Sequence, residues 1–327
     1  MKVFLTGASG FVGSHVLDAL LAGRHEVSIL RQRTSNTRFI SRHLPAVTVH
    51  YGSLDDVPLL TKAMAGVEAV IHCAGKTKAL HSSDFYRVNQ AGTRHVVTAA
   101  NACRESVRHL VYISSLAVSG PGVPGCPAEE TDEPRPVSVY GRSKLLGEKE
   151  IRQHCRAPWT ILRPAAVYGP RDTELLTVFQ KLKQRLMPLV SGARRSVHLV
   201  YAPDVAAAVL CSLLQERGVG GTYHVAADPP CTDEELMEEI AAQLGCRPLR
   251  LRIPRPGLYL AAAIQEILSL TTGRPNMLTR QKLPELLAPG WVCSTEKIRK
   301  ELGFSAPTSL KEGVSRTLEW YRGEGWL

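Results

Sequence analysis

Phe4-Leu5-Thr6-Gly7-Ala8-Ser9-Gly10-Phe11-Val12-Gly13 is the stretch on which the fold turns. An apolar run, Val3 to Leu5, ends in a glycine-rich turn, and an apolar-periodic segment follows through Val16, Leu17, Leu20 and Leu21. The pattern predicts strand, tight turn, helix. Three glycines three residues apart suit a phosphate cradle: Gly7 permits the turn, Gly10 lets the backbone approach a pyrophosphate, and Gly13 lets the helix pack on the strand. The helix N-terminus adds free N–H groups and the positive end of a dipole. Ser9, Phe11 and Val12 sit in the same turn and join Gly7 and Gly10 as candidate cofactor contacts. Alone, such glycines also fit an ordinary strand-turn-helix. Their place at the first strand, and the motifs downstream, raise the functional reading.

Outward from this turn the first half alternates short apolar runs with helical patterns. Strands are predicted at Lys2–Thr6, Glu26–Leu30, Val47–Tyr51, Ala69–Cys73, His109–Ser115 and Trp159–Arg163. Helices are predicted near Ser14–Ala22, Val57–Ala65, Asp84–Cys103 and Ser138–Cys155. The expected fold class is therefore α/β, a doubly wound parallel sheet, with ligands outside the carboxyl ends of the strands. Gly120–Pro136, rich in Pro, Gly and acids, reads as a surface loop bordering the substrate pocket. After Pro170 the pattern turns mostly helical, at Glu174–Leu186, Pro203–Glu216, Asp233–Leu244, Gly257–Thr271 and Thr308–Tyr321, with short strands at Ser196–Tyr201 and Thr222–Ala226. Residues 1–170 and 197–228 are expected to form the dinucleotide-binding domain, and 171–196 and 229–327 a smaller substrate domain.

Bulk composition narrows the function classes. The 327 residues suffice for one large or two modest domains, and 44% hydrophobic content supports a sizeable core. Met1 leads straight into the first strand, so no signal peptide is expected. The longest weakly polar stretch, Leu258–Leu270, is interrupted by Gln265 and Glu266 and is too short for a membrane span. Eight cysteines without a C-x-x-C pair argue against a zinc site or disulfide framework and for a reducing cytoplasm. The formal charge of +10 is spread along the chain, which reads first as a solvated surface. It also suits an acidic cofactor, a CoA thioester or an anionic lipid surface. No nucleic-acid motif accompanies it.

Tyr140-Gly141-Arg142-Ser143-Lys144 is the sharpest chemical signal. Tyr140 and Lys144, four apart, share a helix face. A phenol normally ionises near pH ~10. An adjacent ammonium is expected to favour the phenolate and make Tyr140 a proton carrier to a substrate oxygen. Lys144 is also placed to hold ribose hydroxyls. An exposed Tyr–Lys pair is the bland alternative. Ser114-Ser115 ends a predicted strand and offers a hydroxyl at the same edge. A serine nucleophile is disfavoured because no G-x-S-x-G elbow surrounds it.

The set T-G-x-x-G-x-x-G, strand-end serine and Y-x-x-x-K resembles the extended short-chain dehydrogenase/reductase family. His72-Cys73-Ala74-Gly75, Val88-Asn89-Gln90-Ala91-Gly92-Thr93, Leu162-Arg163-Pro164-Ala165-Ala166-Val167-Tyr168-Gly169-Pro170 and Tyr201-Ala202-Pro203-Asp204-Val205-Ala206 resemble further motifs of that family. The resemblance covers nearly the whole chain, and is closest to the dihydroflavonol reductase and hydroxysteroid dehydrogenase-like branch. It implies a Rossmann fold, Ser115, Tyr140 and Lys144 as the catalytic set, and a nicotinamide cofactor. Ser115 is preferred to Ser114 because it matches the family spacing, five residues before Gly120. The implied cofactor contacts extend to Ser53, Leu54, Ala74, Gly75, Asn89, Tyr140, Lys144, Pro164 and Val167, with Asn89 in a supporting role. A homodimer through the helices 84–103 and 138–155 is the family's usual assembly. No metal site is expected.

Two departures bear on ligands. The second strand ends Ile29-Leu30-Arg31, with Arg33 and Arg38 beyond, where NAD-preferring relatives carry an acid. Arginine can clamp a 2′-phosphate, so Arg31 and Arg38 favour NADP over NAD. Gly52-Ser53-Leu54 stands where G-D-L is common, which weakens the adenine contact. On the substrate side, sugar-nucleotide members commonly place an arginine seven residues before the aspartate matched by Asp204. Here that position is Val197, with Arg194 and Arg195 nearby. Gly257–Ile264 is apolar, and reads as core, as the wall of a pocket for an apolar ligand, or as a contact with lipid. The expected activity is interconversion of a secondary alcohol and a ketone on a hydrophobic small molecule, steroid-like, phenolic or acyl. A nucleotide-sugar epimerase or dehydratase is the alternative.

Overall fold

The computed structural model describes residues 1–192, 194–215, 218–272 and 279–327. The chain begins β1 (Lys2–Thr6), α1 (Phe11–Ala22), β2 (Glu26–Arg31), β3 (Thr48–Tyr51), α2 (Val57–Met64), β4 (Ala69–His72), α3 (Ser82–Tyr86), α4 (Gly92–Ala102), β5 (His109–Ile113), α5 (Val139–His154) and β6 (Trp159–Pro164). It continues β7 (Ala166–Tyr168), α6 (Thr173–Lys183), β8 (Leu186–Val190), β9 (Ser196–Val197), β10 (Leu199–Tyr201), α7 (Ala202–Leu214), β11 (Gly221–Val225) and β12 (Cys231–Thr232). The last elements are α8 (Asp233–Leu244), β13 (Leu249–Ile253), α9 (Arg255–Thr272), α10 (Leu283–Leu286), β14 (Gly290–Trp291), α11 (Glu296–Leu302) and α12 (Leu310–Gly323).

Seven strands form one sheet in the order β11-β6-β5-β4-β1-β2-β3, every pairing parallel. The doubly wound parallel sheet is as predicted. Strand side chains alternate between faces with period two. Leu5, Ile71 and Val111 therefore pack on one side, with Val16 and Leu20 of α1 and Val205 and Val209 of α7. Phe4, Val70 and Tyr112 pack on the other, with Leu60 of α2, Val96 of α4 and Ile151 of α5. A further core joins α6, α8 and α12 through Phe179, Ile240 and Tyr321.

Four expectations are corrected by the backbone. The helix predicted over 84–103 contains a π-helical turn at Arg87–Ala91, between α3 and α4. The helix predicted to run to Leu186 stops at Lys183, because Arg185 adopts φ 61° and turns the chain into β8. The strand predicted over Ser196–Tyr201 divides at His198, whose Nδ1 accepts from the Cys293 amide at 3.1 Å. The region after Pro170 also carries small sheets, β13-β8 and β12-β9-β14. Glu216, the last residue of one predicted helix, lies outside the described residues.

Candidate active site

The glycine turn at the carboxyl edge of β1 is as tight as its sequence suggests. Gly7 has φ 78°, and a Cβ there would lie 2.6 Å from the Ala74 nitrogen. A Cβ on Gly13 would lie 2.1 Å from the Gly7 carbonyl oxygen, so only glycine lets α1 start this close to the strand. The Gly10 amide donates to the Gly7 carbonyl at 3.0 Å, and no side chain caps α1. Its first amides thus remain available to an anion. Gly7, Gly10, Phe11 and Val12 line a cavity of about 560 Å³; Ser9 is half-buried in the turn above it.

Ser115, Tyr140 and Lys144 line the same cavity, with Gly75 and with Pro164 and Val167 of the β6–β7 corner. Lys144 is only 3% exposed. Its Nζ donates to the Ile113 carbonyl at 2.6 Å and lies 4.2 Å from the Tyr112 ring centre. Burial brings its pKa down to about 8. Burial pushes the Tyr140 phenol up to about 12, opposed by a hydrogen bond with Ser115. Desolvation opposes the expected ammonium-favoured phenolate, and Lys144 is directed at the Ile113 carbonyl. Ser115 caps the turn after β5, accepting from the Ala117 amide at 3.2 Å. Ser114 is committed elsewhere, donating to Glu148 at 2.6 Å.

The remaining predicted contacts divide. Arg31 and Arg33 both lie over the Tyr51 ring, 5.5 and 4.9 Å from its centre, at the carboxyl ends of β2 and β3. Arg31 Nε is buried without a hydrogen-bond partner among the described residues. Arg38 departs from the set: its guanidinium stands 3.3 Å from Glu324 and 4.9 Å from the Trp326 ring centre, which anchors it to the C-terminal segment. Ser53 accepts from the Asp55 amide at 3.1 Å, and Leu54 leans on Gly92. Ala74 abuts Gly7. Asn89 is fully buried and uses its amide on the loop below Gly75. It accepts from the Lys76 amide at 2.7 Å and donates to the Lys76 carbonyl at 3.0 Å and Ser143 at 2.9 Å. Its place is as a support of that loop, not as a cofactor contact.

Sequence reading missed two groups. The first is a buried charge network. Arg163 of β6 makes two bonds to Glu148 of α5, at 2.8 and 2.7 Å, and a third to Ser119 at 3.0 Å. Burial opposes the Glu148 carboxylate, but Arg163 and Ser114 outweigh it and hold its pKa below the ordinary value. Arg163 belongs to a motif quoted above, yet its partner lies 15 residues away on another element. The second group is the polar mouth of the cavity: Lys78, Asp172, Glu174, Lys282 and Glu285. Lys78 pairs with Glu174 at 2.7 Å, and burial pushes Asp172 up to about 6. Ser138, which caps α5, donates to Glu285 of α10. Asp172 lies two residues after Pro170 and could have been found by extending that motif. Glu285 had no local signal. The loop Gly120–Pro136, expected beside the pocket, instead pairs with β14 and its sequel through Ala128 and Cys293, and α10 takes that side.

Comparisons with known proteins bear on the family and the fold. Residues 3–226 match the model of the NAD dependent epimerase/dehydratase family. The chain is 32% identical to the ceramide reductase of Caulobacter vibrioides, covering 99% of this chain and 96% of that one. It is 26% identical to the N-acetyl-alpha-D-glucosaminyl-diphospho-ditrans,octacis-undecaprenol 4-epimerase of Escherichia coli O157:H7, covering 98% and 95%. Among solved structures, that of gox2253 matches with a TM-score of 0.82 at 25% identity, covering 100% and 99%.

Proposed function

The chain belongs to the NAD dependent epimerase/dehydratase family, and we propose that it interconverts a secondary alcohol and a ketone on a lipid-like molecule. The convergence of Ser115, Tyr140 and Lys144 on the cavity below the glycine turn carries this reading. The cradle fits a dinucleotide, since Gly7 and Gly13 let the turn and the start of α1 close onto β1 and leave the first amides of α1 uncapped at the cavity. Gly7, Gly10 and the first amides of α1 would hold the pyrophosphate, and Lys144 the nicotinamide ribose. A nicotinamide bound there would supply the hydride for reduction. Ser115 holds the carbonyl oxygen. Tyr140, kept protonated by burial, donates its proton as that oxygen becomes a hydroxyl.

Pro164, Ala165, Ala166 and Val167 form an apolar wall beside these groups, which suits an acyl or ring substituent. The ceramide named in one relative is such a lipid. Arg31, with its unpartnered Nε, favours a 2′-phosphate and hence NADP. Arg31→Asp should shift preference toward NAD by about ten- to a hundred-fold, the scale of a charge-assisted contact of roughly 1.5–3 kcal/mol. Dissociation constants for both reduced cofactors test this; equal wild-type affinities would refute it. A homodimer across α4 and α5 and a cytoplasmic location complete the proposal. The latter suits eight free thiols.

A second reading is epimerisation of a nucleotide sugar. It rests on the arginines Arg194, Arg195, Arg250 and Arg252 in the walls of a cavity of about 570 Å³, where Asp233 and Glu234 compete for them. The discriminating experiment follows reduced-cofactor absorbance with a long-chain ketolipid in detergent, alongside product analysis on sugar nucleotides. Stoichiometric cofactor oxidation with the ketolipid is expected. Epimerised sugar without net cofactor turnover would overturn the first reading.

A further inference from the structure

The large hydrophobic side chains left exposed are unevenly placed. Of the ten among the described residues, five lie within residues 249–264: Leu249, Leu251, Tyr259, Leu260 and Ile264. Leu260 is 64% exposed and Ile264 51%, one helical turn apart on α9. The opposite side of α9 is packed, Leu258 and Ala262 meeting Leu283 of α10. Glu285 of α10 and Lys282, the residue just before that helix, border the cavity with Tyr140 and Lys144. The exposed face is thus one helix removed from that cavity.

Charge points to what covers this face. Residues 246–265 contain Arg247, Arg250, Arg252 and Arg255 and no acid. Arg250 is paired with Glu234 and Glu238 of α8. Arg247, Arg252 and Arg255 have no ion-pair partner among the described residues, and all three are exposed. A cationic segment running into an apolar helix face, with a tyrosine at its start, is the pattern of an element lying in a membrane interface. No described helix is long and apolar enough to cross a membrane, and α9 is held down along one side. We propose that β13 and α9 form the face by which the protein docks on an anionic bilayer. Because this rests on the lipid-substrate reading, docking would set the cavity beside the phase that dissolves the substrate.

The experiment is co-sedimentation of the full chain with vesicles of phosphatidylcholine alone, or with about one-third phosphatidylglycerol, at low and raised salt. Wild type should pellet with the anionic vesicles and be released by salt. The L260E/I264E variant should lose binding by at least ten-fold, and R247E/R255E should lose the preference for phosphatidylglycerol. Both should keep wild-type melting temperature and affinity for reduced cofactor. Wild type that stays in the supernatant overturns the proposal, as does equal binding by L260E/I264E. Sedimentation velocity adds a further arm. If the wild type self-associates through this face, L260E/I264E abolishes that association and neither binds vesicles, the face belongs to a second copy. None of these readouts uses turnover, so docking can fail while ketolipid reduction stands, and the reverse.

Discussion

At Tyr140 and Lys144 the same physical cause moves two pKa values in opposite directions. Burial disfavours phenolate and ammonium alike, raising one pKa to about 12 and lowering the other to about 8. Burial therefore favours the protonated Tyr140 phenol at neutral pH, as the proposed proton transfer requires. Tyr140→Phe keeps the ring and removes only that proton. Turnover should fall by ~10²-fold or more while cofactor affinity stays nearly intact, and near-normal activity in a folded variant would sink the assignment. Lys144 carries a stability signature of its own. Its folded pKa lies below the ordinary 10.5, so from about 8 to 10.5 the unfolded chain holds a proton that the folded chain has released. Stability from this residue rises with pH across that window, and below it the buried charge is a constant cost. Thermal melts of wild type and Lys144→Met should draw closer from pH 8 toward 10. A difference that does not change with pH would refute the buried ammonium.

Elements are held in register for catalysis by contacts that sequence patterns do not display. Glu148 sits one turn after Lys144 on α5, and its two bonds to Arg163 tie that helix to β6. Ser114 joins the same carboxylate, which leaves Ser115 as the cavity-lining serine not bonded to it. Breaking a buried pair costs roughly 3–5 kcal/mol, because a charge is left uncompensated. Glu148→Gln should lose stability on that scale in urea denaturation at pH 7. The carboxylate's folded pKa is depressed, so its contribution is present above the ordinary 4.5 and is lost as pH falls through the folded value. Wild type and variant should converge in acid; a gap that persists there would mean that packing, not charge, is responsible. The glycine turn, the strand-end serine and the Tyr–Lys spacing were legible because their geometry is local, fixed within a few residues. Glu285 reaches Ser138 across 147 residues, and no window of sequence contains both. β13 was illegible for another reason: Leu249-Arg250-Leu251-Arg252 is exposed on every residue, so no burial pattern marks it as a strand. Arg38 misled because its position after β2 was visible and its partner Glu324 was not.

Across the molecule, the substrate question comes down to whether the region around α8 can neutralise a diphosphate. Val197, where sugar-nucleotide members commonly carry an arginine, lies in β9 between Cys231 of β12 and Trp291 of β14. It offers no charge, and neighbours on both sides leave little room to replace it from another strand. Arg195 is bonded to Asp233 at the start of α8, and Arg194 lies 3.8 Å from Glu234. Recruiting either to a phosphate would cost its existing pairing and leave a carboxylate facing the same anion. The 570 Å³ cavity around them therefore carries acids and bases together, which suits a neutral or zwitterionic headgroup better than a diphosphate. UDP, UDP-glucose and dTDP-glucose should accordingly bind weaker than about 1 mM, near −4 kcal/mol, in calorimetric titrations with saturating reduced cofactor. Asp233→Asn should relieve part of the repulsion and tighten UDP measurably. Micromolar binding of any of the three to the wild type would show that the arginines exchange partners freely. It would also move the enzyme to the epimerase reading, whatever the apolar wall at Pro164–Val167 favours.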